Sequence, residues 1–394
     1  MPTVDELPVP GRRRLPPTIF AFVIVSFLSD VSTEMLLPIL PLLLVRELRA
    51  PAGVVGVIEG VAQAAQYIAQ GFSGWVADRV RRPRPIALAG YAVAAIAKPF
   101  IGLAVSWPTV LGGRMLDRAG SGTRSAPRDA MIAAAAGDRR GAAFGLEGAG
   151  DNLGAVAGPL LTAALLAVAQ PPLRVLCFLA AIPGALALAL MASIPVATDE
   201  APVARERLRI GALPGRYWCY VGAAAVYGLG NVSSAFVILQ TVRAGIPVAA
   251  TVLVYAGFNL AAAAVSYPAG ALSDARGRGR VLLAGALLPP FAFLGLALTS
   301  STILAVLLFA AYGAYQGVFR AVGKALATDL APRELRASAI GMYSAAIGVA
   351  ALVANIVGGQ IWDRVSPAAM FEAGAVMTLI GWALLAALVR DSTA

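Results

Sequence analysis

The chain has 394 residues, 59% hydrophobic and 13% charged, with a mean hydropathy of +0.78 and a formal net charge of +10. A water-soluble domain needs a polar surface that so few charges cannot supply, and the absence of histidine excludes His-based catalysis, His proton relays and most transition-metal sites. Continuous apolar runs recur, most of them long enough for the roughly 20 helical residues that cross a bilayer core of about 30 Å, so the chain reads as an all-α polytopic membrane protein and not a β-barrel.

Twelve spans follow in chain order, near 18–45, 52–77, 85–105, 108–130, 141–166, 173–194, 217–242, 248–272, 280–299, 302–327, 337–361 and 368–389. They divide the chain into a cytoplasmic N-terminus (1–17), an N-terminal six-helix bundle (18–194), a cytoplasmic linker (195–216, "PVATDEAPVARERLRIGALPGR"), a C-terminal six-helix bundle (217–389) and a cytoplasmic C-terminus (390–394). Arg12, Arg13 and Arg14 precede the first run with no A-x-A-like cleavage site, so the first span is read as retained. With the N-terminus inside, nineteen arginines fall on the termini and even-numbered loops and five on the other side. That bias sets the orientation and absorbs most of the basic charge, leaving no basic soluble face for nucleic acid. Cys177 and Cys219 lie in or beside apolar spans and imply neither a disulfide framework nor a metal site. The short loops leave no room for a catalytic domain and carry no cofactor loop. The expected partners are a small-molecule substrate, protons and the lipid bilayer, for a monomer. The Ala- and Arg-rich composition points to a bacterial inner membrane.

The first span carries "SFLSDVSTEMLLPILPLLL" (26–44), in which Asp30 and Glu34 are the only charges between Arg14 and Arg46. They stand one helical turn apart on one face. Exposure to lipid would cost several kcal/mol, so both are expected to face a cavity or a partner. Pro38 and Pro41 predict a bend at the outer end of this helix. Glu59 on the second span is expected in an interfacial pair, and Lys98 on the third to extend to the outer surface. The fourth span adds Arg114, Asp117, Arg118 and Arg124; the fifth adds Glu147 and Asp151, again one turn apart. Carboxylates take up and release protons and guanidiniums do not. Asp30, Glu34, Asp151 and Glu147 are therefore the candidate proton carriers. The alternative is a static network, with Glu34 neutralised by Arg118 or Asp151 by Arg124. A row of glycines on the fifth span, from Gly141 to Gly158, predicts a close and sliding interface.

The two halves repeat. "GWVADRVRRPRP" (74–85) matches "GALSDARGRGRV" (270–281) at an offset of 196, which also pairs Arg124 with Arg320 and Arg128 with Lys324. At the first span the offset becomes 201 and aligns "SDVST" (29–33) with "GNVSS" (230–234), so Asp30 faces Asn231 in the repeat. Parallel six-span repeats place a substrate site between the halves near mid-membrane. The second half offers amides and aromatics where the first has charge. Asn231, Tyr255, Asn259, Tyr312, Tyr315, Gln316, Arg320 and Lys324, with Arg114, Asp117, Arg118 and Arg124, are the candidate substrate-binding groups. The tyrosines read equally well as packing residues.

Gly74, Asp78, Arg79 and Arg82, and again Gly270, Asp274, Gly277 and Arg278, resemble the loop motif of the major facilitator superfamily (MFS), G-x-x-x-D-R-x-G-R-R/K. Arg81 stands where that family has Gly. Arg114 is similar to its intramembrane arginine. "GLEGAGDNLGAVAGPLL" (145–161) is similar to an antiporter-associated motif ending in G-x-x-x-G-P, with Gly154, Gly158 and Pro159 matching. The resemblance covers essentially the whole chain. It implies the MFS fold of twelve transmembrane helices in two pseudo-symmetric six-helix bundles, a cavity walled by spans 1, 4, 7 and 10, halves meeting at spans 2, 5, 8 and 11, and proton-coupled drug or metabolite antiport. Asp78, Arg79, Arg82, Asp274 and Arg278 become gate candidates, because a carboxylate at the end of span 2 can accept hydrogen bonds from a helix N-terminus of the other half. A surface ion pair is the plainer alternative.

These readings give a secondary active transporter working by alternating access, with efflux by proton antiport first. Proton-coupled import of an organic, possibly anionic, solute is the alternative, and a non-transporting receptor the third. No nucleophile and base set supports an enzyme.

Overall fold

The computed structural model describes residues 15–80, 82–136, 140–195, 213–299, 301–332 and 335–390. The expected linker between the halves lies almost wholly outside the described residues, as do the extreme termini. The described residues contain ten helices long and apolar enough to cross a membrane; Trp107–Ala136 and Thr302–Val318 complete the expected set of twelve spans. These two differ from the other spans, one in charge and one in length, and both differences bear on function. Trp107–Ala136 is the most charged span, and the apolar helix Thr302–Val318 is followed by a π-helical turn at Phe319–Gly323 before a short helix Lys324–Asp329. π-Turns inside spans often mark functional sites.

Local sequence explains the breaks. Span 1 is helical over Pro17–Leu36 and stops before Pro38; a short helix Leu40–Leu42 and a π-turn Leu43–Glu47 follow, the bend that Pro38 and Pro41 predict. Span 7 breaks between Gly215–Leu229 and Ser234–Arg243, and Ser233 caps the restart by accepting from the Ala235 N–H. Gly230 is required at this break: a Cβ there would stand 2.6 Å from the Gly374 carbonyl and the Thr378 N–H on span 12. Span 8 (Val248–Arg276) ends at Gly277, whose φ of +93° suits only glycine. Span 9 is broken between Arg278–Gly285 and Leu288–Leu298. Large apolar side chains such as Phe291 and Ile303 are exposed, a surface suited to lipid.

Within the first half, span 1 packs on spans 5 and 6, and span 4 on spans 2 and 3; between the halves, span 2 packs on span 11 and span 5 on span 8. The interface that the family resemblance implies is the one found. It is closed at one end only. On span 2 (Ala52–Val80), Gly53, Gly60 and Gly71 share a stripe, being 7 and 11 residues apart. A Cβ at Gly53 would meet Gly359 and Asp363 of span 11, and one at Gly60 would meet Leu352, but one at Gly71 meets nothing within 4 Å. Span 11 (Arg336–Arg364) mirrors this: Gly359 and Gly348 are packed, against Gly53 and Tyr67, and Gly341 is open. The halves are joined at the end away from the termini and part towards the end that carries them.

The row of glycines on span 5 (Arg140–Val168) is a correction. Gly150, Gly154 and Gly158 lie on span 1 of the same half, where a Cβ would stand 2.9, 2.6 and 2.7 Å from the carbonyl oxygens of Val23, Phe27 and Val31. They serve tight packing within one half rather than a sliding interface. Small residues permit such contact wherever it occurs, and their spacing does not say which neighbour uses it.

Candidate functional site

Span 1 brings Ser26, Asp30 and Glu34 onto one face at successive turns. Ser26 is fully buried; its hydroxyl donates to Glu147 Oε1 (2.9 Å) and accepts from Arg128 Nη1 (2.9 Å). Arg128 Nη2 lies 2.6 Å from Glu147 Oε1, and Nη1 lies 3.9 Å from Asp151 Oδ1, an oxygen that is buried without a hydrogen bond. One turn up span 1, Asp30 stands 3.8 Å from Arg124 Nη2, and the Arg124 guanidinium covers the Tyr91 ring at 4.9 Å. The Asp30 and Asp151 side chains are about a third exposed, 29% and 33%, whereas Glu147 and both arginines are buried. The two acids therefore keep exposed surface and are backed by two closed cations.

One turn further, Glu34 leaves its own half. Its Oε2 accepts from the Tyr255 hydroxyl (2.8 Å) and from Asn259 Nδ2 (3.3 Å) on span 8; Asn259 also donates to the Ala155 carbonyl of span 5 (2.9 Å). Two candidate substrate groups thus hold a candidate proton carrier. Neither static pair considered from the sequence forms: Asp151 faces Arg128 rather than Arg124, and Arg118 makes no ion pair with Glu34.

A second network closes the end of the first half away from the termini. Arg114 grips Glu59 with both prongs (Nε–Oε1 3.1 Å, Nη2–Oε2 3.3 Å) and Asp117 Oδ2 with the third nitrogen (2.8 Å), while Asp117 Oδ1 accepts from Lys98 Nζ (2.9 Å). Lys98, Arg114 and Asp117 are 2%, 0% and 0% exposed. Lys98 does not reach the surface as expected, because a carboxylate at its own depth offers a nearer partner than the headgroups do. Arg114 and Asp117 are committed to protein partners and, in this conformation, do not line the cavity.

The second half is less open than its composition suggests. Tyr312 and Tyr315 are 1% and 0% exposed within an aromatic stack that includes Tyr227, Phe258 and Phe293. Tyr312 donates to Asn231 Oδ1 (2.6 Å) and accepts from Gln316 Nε2 (3.1 Å). They form packed interior and not an open wall, the alternative reading of the tyrosines. Lys324 is exposed beyond the π-turn. Among the gate candidates, Arg278 pairs with Asp274 (3.5 Å) and with Asp329 (2.8 Å), all within the second half and largely exposed. That is a surface ion pair and not a bridge to the other half. Arg82 is exposed at the start of span 3 (Pro83–Gly102), with no side-chain cap. The side chains of Asp78, Arg79 and Arg320 lie outside the described ones.

Sequence reasoning passed over three groups. Arg128 appeared only as a repeat partner, and Ser26 carries no charge to flag it. Asp363, at the end of span 11, accepts from the backbone N–H groups of Ala52 (3.0 Å) and Gly53 (2.6 Å), capping the first turn of span 2 across the interface. The signal was present: Asp-Arg-Val closes both span 2 (78–80) and span 11 (363–365).

Two repeated six-span bundles, the first with charge gathered in its interior, are the architecture of a secondary membrane transporter. The model of the Major Facilitator Superfamily matches residues 22–242 and 218–394, and the chain belongs to that family. An uncharacterised MFS-type transporter of Methanocaldococcus jannaschii is 30% identical over 382 residues, 95% of each chain. An uncharacterised protein of Mycobacterium tuberculosis is 29% identical over 354 residues, 87% of this chain and 86% of that one. Among solved structures, the nucleoside transporter NupG superposes with a TM-score of 0.80 at 14% identity, covering 95% of this chain and 100% of the other. A bacterial homologue of the human lysosomal transporter Spinster, in an inward-facing and occupied conformation, gives 0.79 at 16%, covering 94% and 96%. At these identities the structural likeness shows the fold. The chain is a membrane-embedded transporter of small molecules and not an enzyme.

Proposed function

We propose that the chain is a proton-coupled antiporter that exports a small solute from a bacterial cytoplasm by rocking its bundles (18–194 and 217–389) about the central cavity. The observation that carries the coupling is Glu34, whose carboxylate accepts from Tyr255 and Asn259 of the opposite half. When the halves part at that level, both donors leave. A proton on Glu34 therefore has a different free energy in the two conformations, which is what coupling requires. Asp30 and Asp151, open to the same space, are the route by which protons reach it. Export draws on the partial G-x-x-x-G-P motif of span 5, and the arginine bias puts both termini, and the parted end, in the cytoplasm. Proton-coupled import of an anion is the second reading, favoured by Arg118, which has no ion pair with a described residue.

The test is solute-driven proton movement in liposomes holding a pH dye, with cationic, neutral and anionic solutes. Asp30→Asn and Glu34→Gln should each abolish the proton signal while the variants still insert and purify as the wild type does. Solute flux with no proton signal, unchanged in both variants, would reject the coupling.

A further inference from the structure

Five cationic side chains stand deep in the first half: Lys98, Arg114, Arg118, Arg124 and Arg128. Four have carboxylate partners at 2.6–3.8 Å. Arg118 has no hydrogen bond and no ion pair with any described residue, and it is only partly buried. Its nitrogens are not closed off from the surrounding space, and its charged neighbours include Glu34, which meets the other half at Tyr255. A guanidinium near mid-membrane is expensive to keep without a partner, and intramembrane charges left in this state mark ligand paths.

The acids around Arg118 are already engaged. Its charged neighbours are Arg114, Asp117, Glu59 and Glu34. Asp117 is shared by Lys98 and Arg114, Glu59 is gripped by Arg114, and Glu34 is held by Tyr255 and Asn259. Lys98, Arg114, Asp117 and Glu59 sum to zero charge, which leaves Glu34, held by neutral donors, as the neighbouring charge that stands against Arg118. The Glu59–Arg114 pair and the contact of Gly122 with the Gln66 backbone fix the register of span 4 on span 2. Gln63 then stands at the level of Arg118; it too makes no hydrogen bond with a described residue, and one turn on, Gln66 Oε1 is buried without a partner.

We infer that Arg118 anchors the anionic group, a carboxylate or a phosphate, of the transported solute, with the Gln63 amide as a second donor. The planar fork of a guanidinium matches the paired oxygens of either group. The inference rests on the reading of the cavity as a transport path, and it decides the substrate's charge independently of the direction of transport. Glu34 is the one neighbouring charge outside the neutral set and repels an anion at this site, so removing its charge should tighten binding.

The test uses the detergent-solubilised full chain and three probes sharing one ring: benzoate, phenyl phosphate and benzylamine. Binding is read as a rise in the unfolding temperature with probe concentration. Benzoate, phenyl phosphate or both should stabilise the wild type and benzylamine should not; which of the two acts separates carboxylate from phosphate recognition. Arg118→Gln should lose the effect by at least tenfold in apparent affinity, Arg118→Lys should retain part of it, and Glu34→Gln should strengthen it several-fold. Variants are compared with their own probe-free unfolding temperatures, so a fold defect is not mistaken for lost binding. Stabilisation by benzylamine alone, by neither anion, or equally in Arg118→Gln overturns the inference. Solute flux in the liposomes with no proton signal, unchanged in Asp30→Asn and Glu34→Gln, alongside intact Arg118-dependent binding would instead reject the coupling and leave this site standing.

Discussion

Asp117→Asn is expected to destabilise the folded chain by about 3–5 kcal/mol, the usual consequence of removing one partner from a buried ion pair. Both oxygens of Asp117 are in use, one on Lys98 and one on Arg114. Arg114 retains its fork on Glu59, but Lys98, 2% exposed, would keep a charge with no acid beside it. The double variant Lys98→Met/Asp117→Asn removes that orphan and leaves Arg114 with Glu59, a neutral set. It should recover most of the lost stability, so the two substitutions should be strongly non-additive. Unfolding in detergent, followed by heat or by titration with a denaturing surfactant, measures the cycle. An additive cycle, or a single variant as stable as the wild type, would mean that the network does not lock spans 2, 3 and 4 together.

The second large effect concerns the closed end. Asp363→Ala should shift the protein towards the conformation opened at the end away from the termini, by about 2 kcal/mol, or about thirtyfold in population, from the loss of a helix cap made by a charged acceptor. Asp363 holds two N–H groups at the start of span 2 from the other half, and the contact exists only while Gly53 and Gly359 touch. Spin labels at Arg46→Cys and Arg364→Cys, two exposed positions in different halves, report the separation once Cys177 and Cys219 are replaced by Ser. The long-distance population should grow in Asp363→Ala and grow less in Asp363→Asn, because Asn also caps helices. Identical distance distributions in all three proteins would mean that the cap contributes nothing to closure.

The two effects separate the roles of the buried charges. The Glu59–Arg114–Asp117–Lys98 set ties helices of one half to each other and need not change as the halves rock. Glu34 and Asp363 reach across the halves, and any rocking must break them. Between these lie Asp30 and Asp151, paired within the first half yet part-exposed. A carboxylate bonded inside a rigid body is a structural group, and one bonded across a moving boundary is a switch.

Much of this protein was legible without tertiary structure. The number of spans, the repeat, the bend at Pro38 and Pro41 and the depth of each charge follow from hydropathy and from the fixed rise of a helix, which are properties of one segment at a time. The helical period also places Asp30 with Glu34, and Glu147 with Asp151, on common faces. What a face meets is a property of two segments. Lys98 finds Asp117 only because span 4 lies level with span 3, the glycines of span 5 turn towards span 1 and not the other half, and Tyr312 is sealed by aromatic neighbours. Arg118 carries the same charge as Arg114 four residues away, and only the packing of span 4 against span 2 decides that Arg114 and not Arg118 receives Glu59.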